Sequence, residues 1–222
     1  MVSQLFVNVN WEKMSEATFE TLYMTVTSVI ATFVFGVILG LLLFLTSKDN
    51  LLEHKLVNTI ISSFVNIFRS IPFIILIILL IPLTKFMLGT IRGANAALPA
   101  LVIGAAPFYA RMVEIALREI DKGVIEAARS MGAKTRTIVF KVLLPEALPA
   151  LISGITVTAI ALVGYTAMAG IIGAGGLGNL AYLEGFSRRH TDVVVVATIF
   201  ILIIVFILQY IGDFITSKID KR

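Results

Sequence analysis

Long apolar runs, each closed by a charged residue, divide the chain. Residues 21–47 are uncharged between Glu20 and Lys48, and 56–84 are interrupted only by Arg69. Three more runs follow: 93–110 between Arg92 and Arg111, 147–183 between Glu146 and Glu184, and 193–212 between Asp192 and Asp213. At about 1.5 Å of rise per residue, roughly 20 residues cross the ~30 Å hydrocarbon layer of a bilayer, so each run predicts one membrane-spanning helix. Continuous runs exclude a membrane β-barrel, whose strands alternate apolar and polar positions. The prediction is an all-α polytopic protein of five transmembrane helices, a single domain over 1–222 with its core at about 17–213. No linker, low-complexity tract or long internal repeat interrupts it.

Composition narrows what such a chain does. It has 222 residues, of which 58% are hydrophobic and 14% charged. A soluble globular chain carries about a quarter charged residues, so a soluble enzyme, a disordered tail and a collagen are excluded. The absence of Cys removes disulfides and thiolate chemistry. A net charge of +4 with a pI near 9.4 would suggest nucleic acid in a soluble chain. Here orientation explains it, and the expected partner is the lipid bilayer, not nucleic acid. Placing 48–55, 111–146 and the C-terminal tail on one side, with Arg69, collects thirteen of the eighteen Lys and Arg. The other side keeps Lys13, Lys85, Arg92, Arg188 and Arg189. The N-terminus is therefore expected outside and the C-terminus in the cytoplasm. The first positive residue is Lys13 and no small-residue cleavage site follows, so the first apolar segment is expected to be retained. Trp11 and Tyr23 suit either an interfacial anchor or simple packing.

The one substantial polar segment, 111–146, holds seven basic and five acidic residues among apolar ones. Val124, Ile125, Ala128 and Met131 recur at helical spacing before Gly132. Ile138, Val139, Val142 and Leu143 give a second amphipathic turn, and Pro145 and Pro149 mark the start of the next span. Two short helices meeting at Gly132 would lie on the membrane surface. By pattern alone this is a solvated connector or an interfacial helix. Glu114, Glu119 and Asp121 read as its solvated face.

The residue types say more. Glu126-Ala127-Ala128, three residues, Gly132, nine residues, Val142, one residue and Leu144-Pro145 resemble the EAA signature of ABC importer permeases, with Val where Ile is usual. In that family the loop forms a coupling helix docked in a groove of a cytoplasmic ATPase. The resemblance then implies that Ala127 and Ala128 allow close approach, Gly132 permits the turn, and Glu126 pairs with the ATPase or caps its own helix. The stretches 69–76, 104–114, 162–170 and 173–178 look like the methionine-importer permeases in particular. That likeness implies a type I importer permease of the bacterial cell membrane, working by alternating access. It also implies a homodimer, two copies of an ATPase that binds ATP and Mg, and an extracytoplasmic substrate-binding protein. Another amino acid or small solute is the alternative substrate. An ATP-independent transporter would call for paired inverted repeats or intramembrane carboxylates, and the spans carry neither.

Several residues within the spans remain. Arg69 in an apolar segment is either a snorkelling residue at the end of its span or a cavity residue beside Pro72, whose missing N–H loosens the helix. Met168, with Tyr165 in the same stretch, is a candidate for the pathway, since a flexible thioether plugs a narrow constriction. Packing is the plainer reading. The six glycines of 164–178 serve close packing, irregular backbone along the pathway, or both, as Gly36 and Gly40 suggest packing elsewhere. Gly173-x-Gly175-x-x-Gly178 matches the dinucleotide fingerprint by letter only, lacking the strand that motif needs. His54 and His190 read as separate surface residues, and no nucleotide, metalloprotease or hydrolase motif occurs. No catalytic, cofactor or metal site is expected in this chain.

Overall fold

Asn10 begins the first helix, its side chain accepting the Lys13 N–H at 3.1 Å. In the computed structural model, which describes residues 6–220, α1 (Trp11–Thr46) then runs 36 residues, starting ten before the uncharged run. Thr21, Thr25, Ser28, Thr32, Gly36 and Gly40 are buried along one stripe of it, and Gly36 and Gly40 lie directly against Tyr109, Ala110 and Val113 of α5 (Ala94–Arg118). A Cβ on Gly40 would stand 2.5 Å from Val113 Cβ and 2.6 Å from the Ala110 carbonyl oxygen, so only glycine permits this approach. Tyr109 locks the same seam: its ring stacks on Phe33 at 5.9 Å and its hydroxyl donates to the Leu151 carbonyl at 3.1 Å.

The second apolar run is not one helix. His54 Nδ1 accepts the Val57 N–H to cap α2 (Lys55–Ser70), which meets α3 (Phe73–Leu79) at 109°. Ile71 precedes a proline and is held extended, while Pro72 has no N–H to continue the ladder. A further short helix, α4 (Ile81–Leu88), leads to α5. Among the described residues four helices are long and apolar enough to cross a membrane alone, and the fifth crossing exists only if the bent α2–α3 pair counts as one.

The polar segment between the third and fourth spans carries α6 (Lys122–Ser130). The expected second surface helix is not separate: α7 (Thr135–Ile138) passes through a π-helical turn at 139–143 into α8 (Leu144–Ala169). Pro145 falls in the first turn of α8, where its missing N–H is tolerated, so the span begins before the prolines expected to start it. The predicted 147–183 helix is also cut short. A second π-helical stretch, 170–174, is broken by a kink at Gly173, φ 103°, and Gly175 at φ 86° leads into α9 (Gly176–Leu180). A third such turn, 181–186, precedes α10 (Thr191–Ile219).

Side chains tie the bundle where α1 begins. Asn8 donates to Asp192, Lys13 pairs with Glu184 at 3.0 Å, and Glu20 reaches Gly176. At the end where α1 stops, Phe44, Leu117, Ile120, Ala128, Ile138 and Leu143 belong to one buried cluster. Lys221 and Arg222, counted above with the basic side, lie outside the described residues.

Candidate functional site

The bend at Pro72 builds a cavity. It turns Phe68 and Arg69 of α2 and Phe73 and Leu76 of α3 toward Gly104 and Phe108 of α5 and Tyr165 of α8, leaving about 320 Å³ between them. Gly104 makes room for the Phe73 ring, whose Cδ2 would lie 3.1 Å from a Cβ there. Phe73 in turn stacks on Tyr165, with centroids 4.3 Å apart and planes within 5°. The Arg69 guanidinium stands 5.9 Å from the centre of the Phe108 ring. No carboxylate pairs with Arg69 among the described residues. Arg69 and Tyr165, far apart in sequence, thus line one cavity, while Pro72 makes the bend beside it without lining it. Met168, one turn beyond Tyr165 and 42% exposed, does not line the cavity.

Around α6 the predicted residues separate by face. Asp121 caps the helix, its Oδ1 accepting the Gly123 N–H at 2.6 Å, so the capping role considered for Glu126 falls to Asp121. Glu126 and Ala127 are exposed, and Glu126 has no hydrogen-bond or ion-pair partner among the described residues. Ala128 points the other way, 6% exposed in the cluster with Ile120, Ile138 and Leu143, so its small size serves packing within the chain. Gly132 takes φ 78° with open space around it, and the backbone turn alone demands glycine. Leu144 packs against the same cluster, while Pro145 is exposed.

The expected solvated face of Glu114, Glu119 and Asp121 does not hold for Glu114. At 3% exposure it accepts from Arg111 Nη1 at 2.5 Å and from Arg118 Nη2 and Nε at 2.8 and 3.0 Å. This clamp closes the last two turns of α5. Its signal was present as the i, i+3, i+7 spacing of Arg111, Glu114 and Arg118. Glu119 lines a hollow of about 250 Å³ with Glu146, Ser153, Thr216 and Asp220.

The glycine-rich segment is both closely packed and irregular in backbone, and none of its six glycines lines the cavity at the Pro72 bend. Glu20 Oε2 accepts the Gly176 N–H at 2.6 Å, Thr21 Oγ1 accepts the Leu177 N–H at 2.9 Å, and Asn179 Nδ2 donates to the Gly170 carbonyl at 2.8 Å. The backbone is irregular and held by side chains, yet Gly170 is also a packing residue, since a Cβ there would lie 2.5 Å from the Asn179 nitrogen. Nearby, the hydrogen bond from Lys13, aided by Arg188, holds the Glu184 carboxyl below its ordinary range. Tyr23 also serves here, its hydroxyl donating to Asn95 Oδ1 at 2.7 Å. His54 and His190 cap or precede helices at opposite ends of the bundle. Among the described residues no group of three or more His, Cys, Asp or Glu is placed to hold a metal.

Residues 33–222 match the family described as "Binding-protein-dependent transport system inner membrane component". The chain is 69% identical over 222 residues, the whole of both sequences, to the methionine import system permease protein MetP of Bacillus subtilis. It is 47% identical over 212 residues, 96% of this chain and 98% of the relative, to the probable D-methionine transport system permease protein MetI of Pasteurella multocida. A solved structure of the MetNI methionine ABC transporter in an inward-facing conformation superposes with a TM-score of 0.92 at 45% identity, covering 94% of this chain and 97% of the solved one.

Proposed function

Because the chain belongs to the family of binding-protein-dependent transport system inner membrane components, we propose that it is the membrane-spanning permease subunit of an ATP-driven methionine importer. The observation that carries this reading is the 69% identity, end to end, with a methionine import permease. The relatives' descriptions cover methionine and D-methionine, and the proposed substrate is methionine of either hand. Two copies of the chain form the transmembrane unit. Two copies of a separate cytoplasmic ATPase bind ATP and Mg, and an extracytoplasmic binding protein delivers substrate. The excess of Lys and Arg around 111–146 supports a cytoplasmic position for that segment and an outside N-terminus.

In this reading α6 is the coupling helix, presenting Glu126, Ala127 and the exposed Met131 to the ATPase. Its inward face is what makes it a lever. Ala128 is buried with Leu117 and Ile120 beyond the Glu114 clamp and with Ile138 and Leu143 at the root of the fourth span. A close-packed cluster transmits displacement instead of absorbing it. Movement of α6 therefore passes into α5 and α8, the helices that bring Phe108 and Tyr165 to the cavity. ATP binding draws the two ATPases together and tilts the dimer toward the outward-open state, and hydrolysis restores the inward-open one.

Reconstitution tests the proposal. Liposomes holding the permease with its ATPase, charged internally with ATP and Mg and given binding protein outside, should accumulate labelled methionine. ATP-independent accumulation, or uptake of an unrelated amino acid that methionine does not compete, would reject it.

A further inference from the structure

The cavity at the Pro72 bend carries more than a route. Five of its seven other lining residues are Phe68, Phe73, Phe108, Tyr165 and Leu76, and no Asp or Glu is among them, so nothing in the wall neutralises Arg69. Arg69 is exposed at this cavity, free to meet an entering anion, and its planar fork matches a carboxylate in two parallel hydrogen bonds. The volume, about 320 Å³, sits at the small end of the range for ligand pockets, about 300–1,000 Å³, and suits one amino acid better than a peptide.

The geometry points to a substrate subsite inside the permease itself, in which Arg69 holds the carboxylate of a free amino acid and the Phe68, Phe108 and stacked Phe73–Tyr165 rings enclose its apolar side chain. This rests on the proposed import function and adds to it a second point of selection after the binding protein. A mono-carboxylate with an apolar side chain satisfies both halves of the site. A second carboxylate or an ammonium on the side chain would be buried against aromatic carbon without a partner. Because the carboxylate is gripped at one end and the side chain merely enclosed, the subsite accepts either hand at the α-carbon.

The test compares the purified permease–ATPase complex, without binding protein, with the ATPase alone, so that the affinity present only in the complex belongs to the permease. Equilibrium binding of labelled methionine is competed with unlabelled methionine and with methioninamide, in which a neutral carboxamide replaces the carboxylate. A charged hydrogen-bonded pair is worth a factor of about ten or more, so the amide should compete at least tenfold less well. Arg69→Gln should weaken methionine binding by the same factor and bring the two ligands to equal affinity. Equal competition by amide and acid in the unaltered complex overturns the subsite, and that comparison needs no variant to fold. So does an assembled Arg69→Gln complex that binds methionine as before. Failure of the liposome uptake experiment rejects the import function. Uptake with no methionine binding to the complex alone rejects the subsite only.

Discussion

Gly40 and Gly164 both lie in membrane helices, yet alanine should act on them with opposite sign. At Gly40 the new Cβ would stand 2.5 Å from Val113 Cβ and 2.6 Å from the Ala110 carbonyl oxygen. Carbon atoms in contact prefer about 3.5–4.0 Å, so α1 and α5 must part locally by about 1 Å. The carbonyl belongs to the backbone and cannot rotate away. Overpacking of this kind costs about 1–3 kcal/mol, and the upper end applies because Leu43 and Val113, both fully buried, lose contacts as the seam opens. At Gly164 a Cβ meets nothing within 4 Å, and alanine in a helix interior is favoured over glycine by about 0.8–1.0 kcal/mol. One kcal/mol shifts the midpoint of a chain this size by about 2–4 °C. Thermal unfolding of the detergent-purified complex, followed by fluorescence-detected size exclusion, should therefore show Gly40→Ala down by about 6–12 °C and Gly164→Ala up by about 2–4 °C. If Gly40→Ala melts with the parent, or both fall together, the close α1–α5 approach is not what fixes the bundle.

Three other outcomes are expected. Gly132→Ala forces an L-residue to φ 78°, at a cost of about 1–2 kcal/mol confined to the turn; co-purification of the ATPase should weaken while the melting of the permease barely moves, and unchanged co-purification would count against α6 as its docking element. Glu114→Ala leaves Arg111 and Arg118 without their shared acceptor, and since both arginines are partly exposed the loss should be about 1–2 kcal/mol, read as a lower midpoint that Glu114→Gln partly restores. Glu184 titrates below its ordinary value of 4.5 when folded, so its tie to Lys13 is present above that pH and is lost as pH falls through the depressed value. A spin label on a single Cys introduced at Leu183 should gain mobility only in that acid range, and Glu184→Gln should abolish the pH step.

Much of this was legible before any coordinates. Charge-bounded apolar runs locate the helices, because a bilayer sets a minimum apolar length for every crossing. They misled at 56–84, where apolarity is continuous but Pro72 bends the path by 109°, and at 147–183, where glycines end the helix without a change in hydropathy. Residue type and spacing mark the EAA-like segment, yet spacing alone does not show which alanine faces inward: Ala127 is exposed and Ala128 buried. Arg69 drew notice as a charge in an apolar run. Its neighbours Phe108 and Tyr165 come from other spans, and only tertiary packing brings them to it. Glu114 was missed because a carboxylate in a polar segment reads as solvated until its two arginines are seen to cover it.

The uncharged part of α1, residues 21–46, is about 40 Å long, whereas the uncharged part of α10, 193–212, is about 30 Å. Two spans of unequal hydrophobic length in one bilayer cannot both stand upright. The surplus in α1 goes into inclination or into stretching of the surrounding lipid, at a small elastic cost for each ångström of mismatch. Since α1 and α5 meet backbone to backbone at Gly40, any change in that inclination carries α5, and with it Phe108, along. The thickness of the host membrane thus becomes a mechanical input to the permease, and short-chain and long-chain lipids should set different resting balances between its conformations.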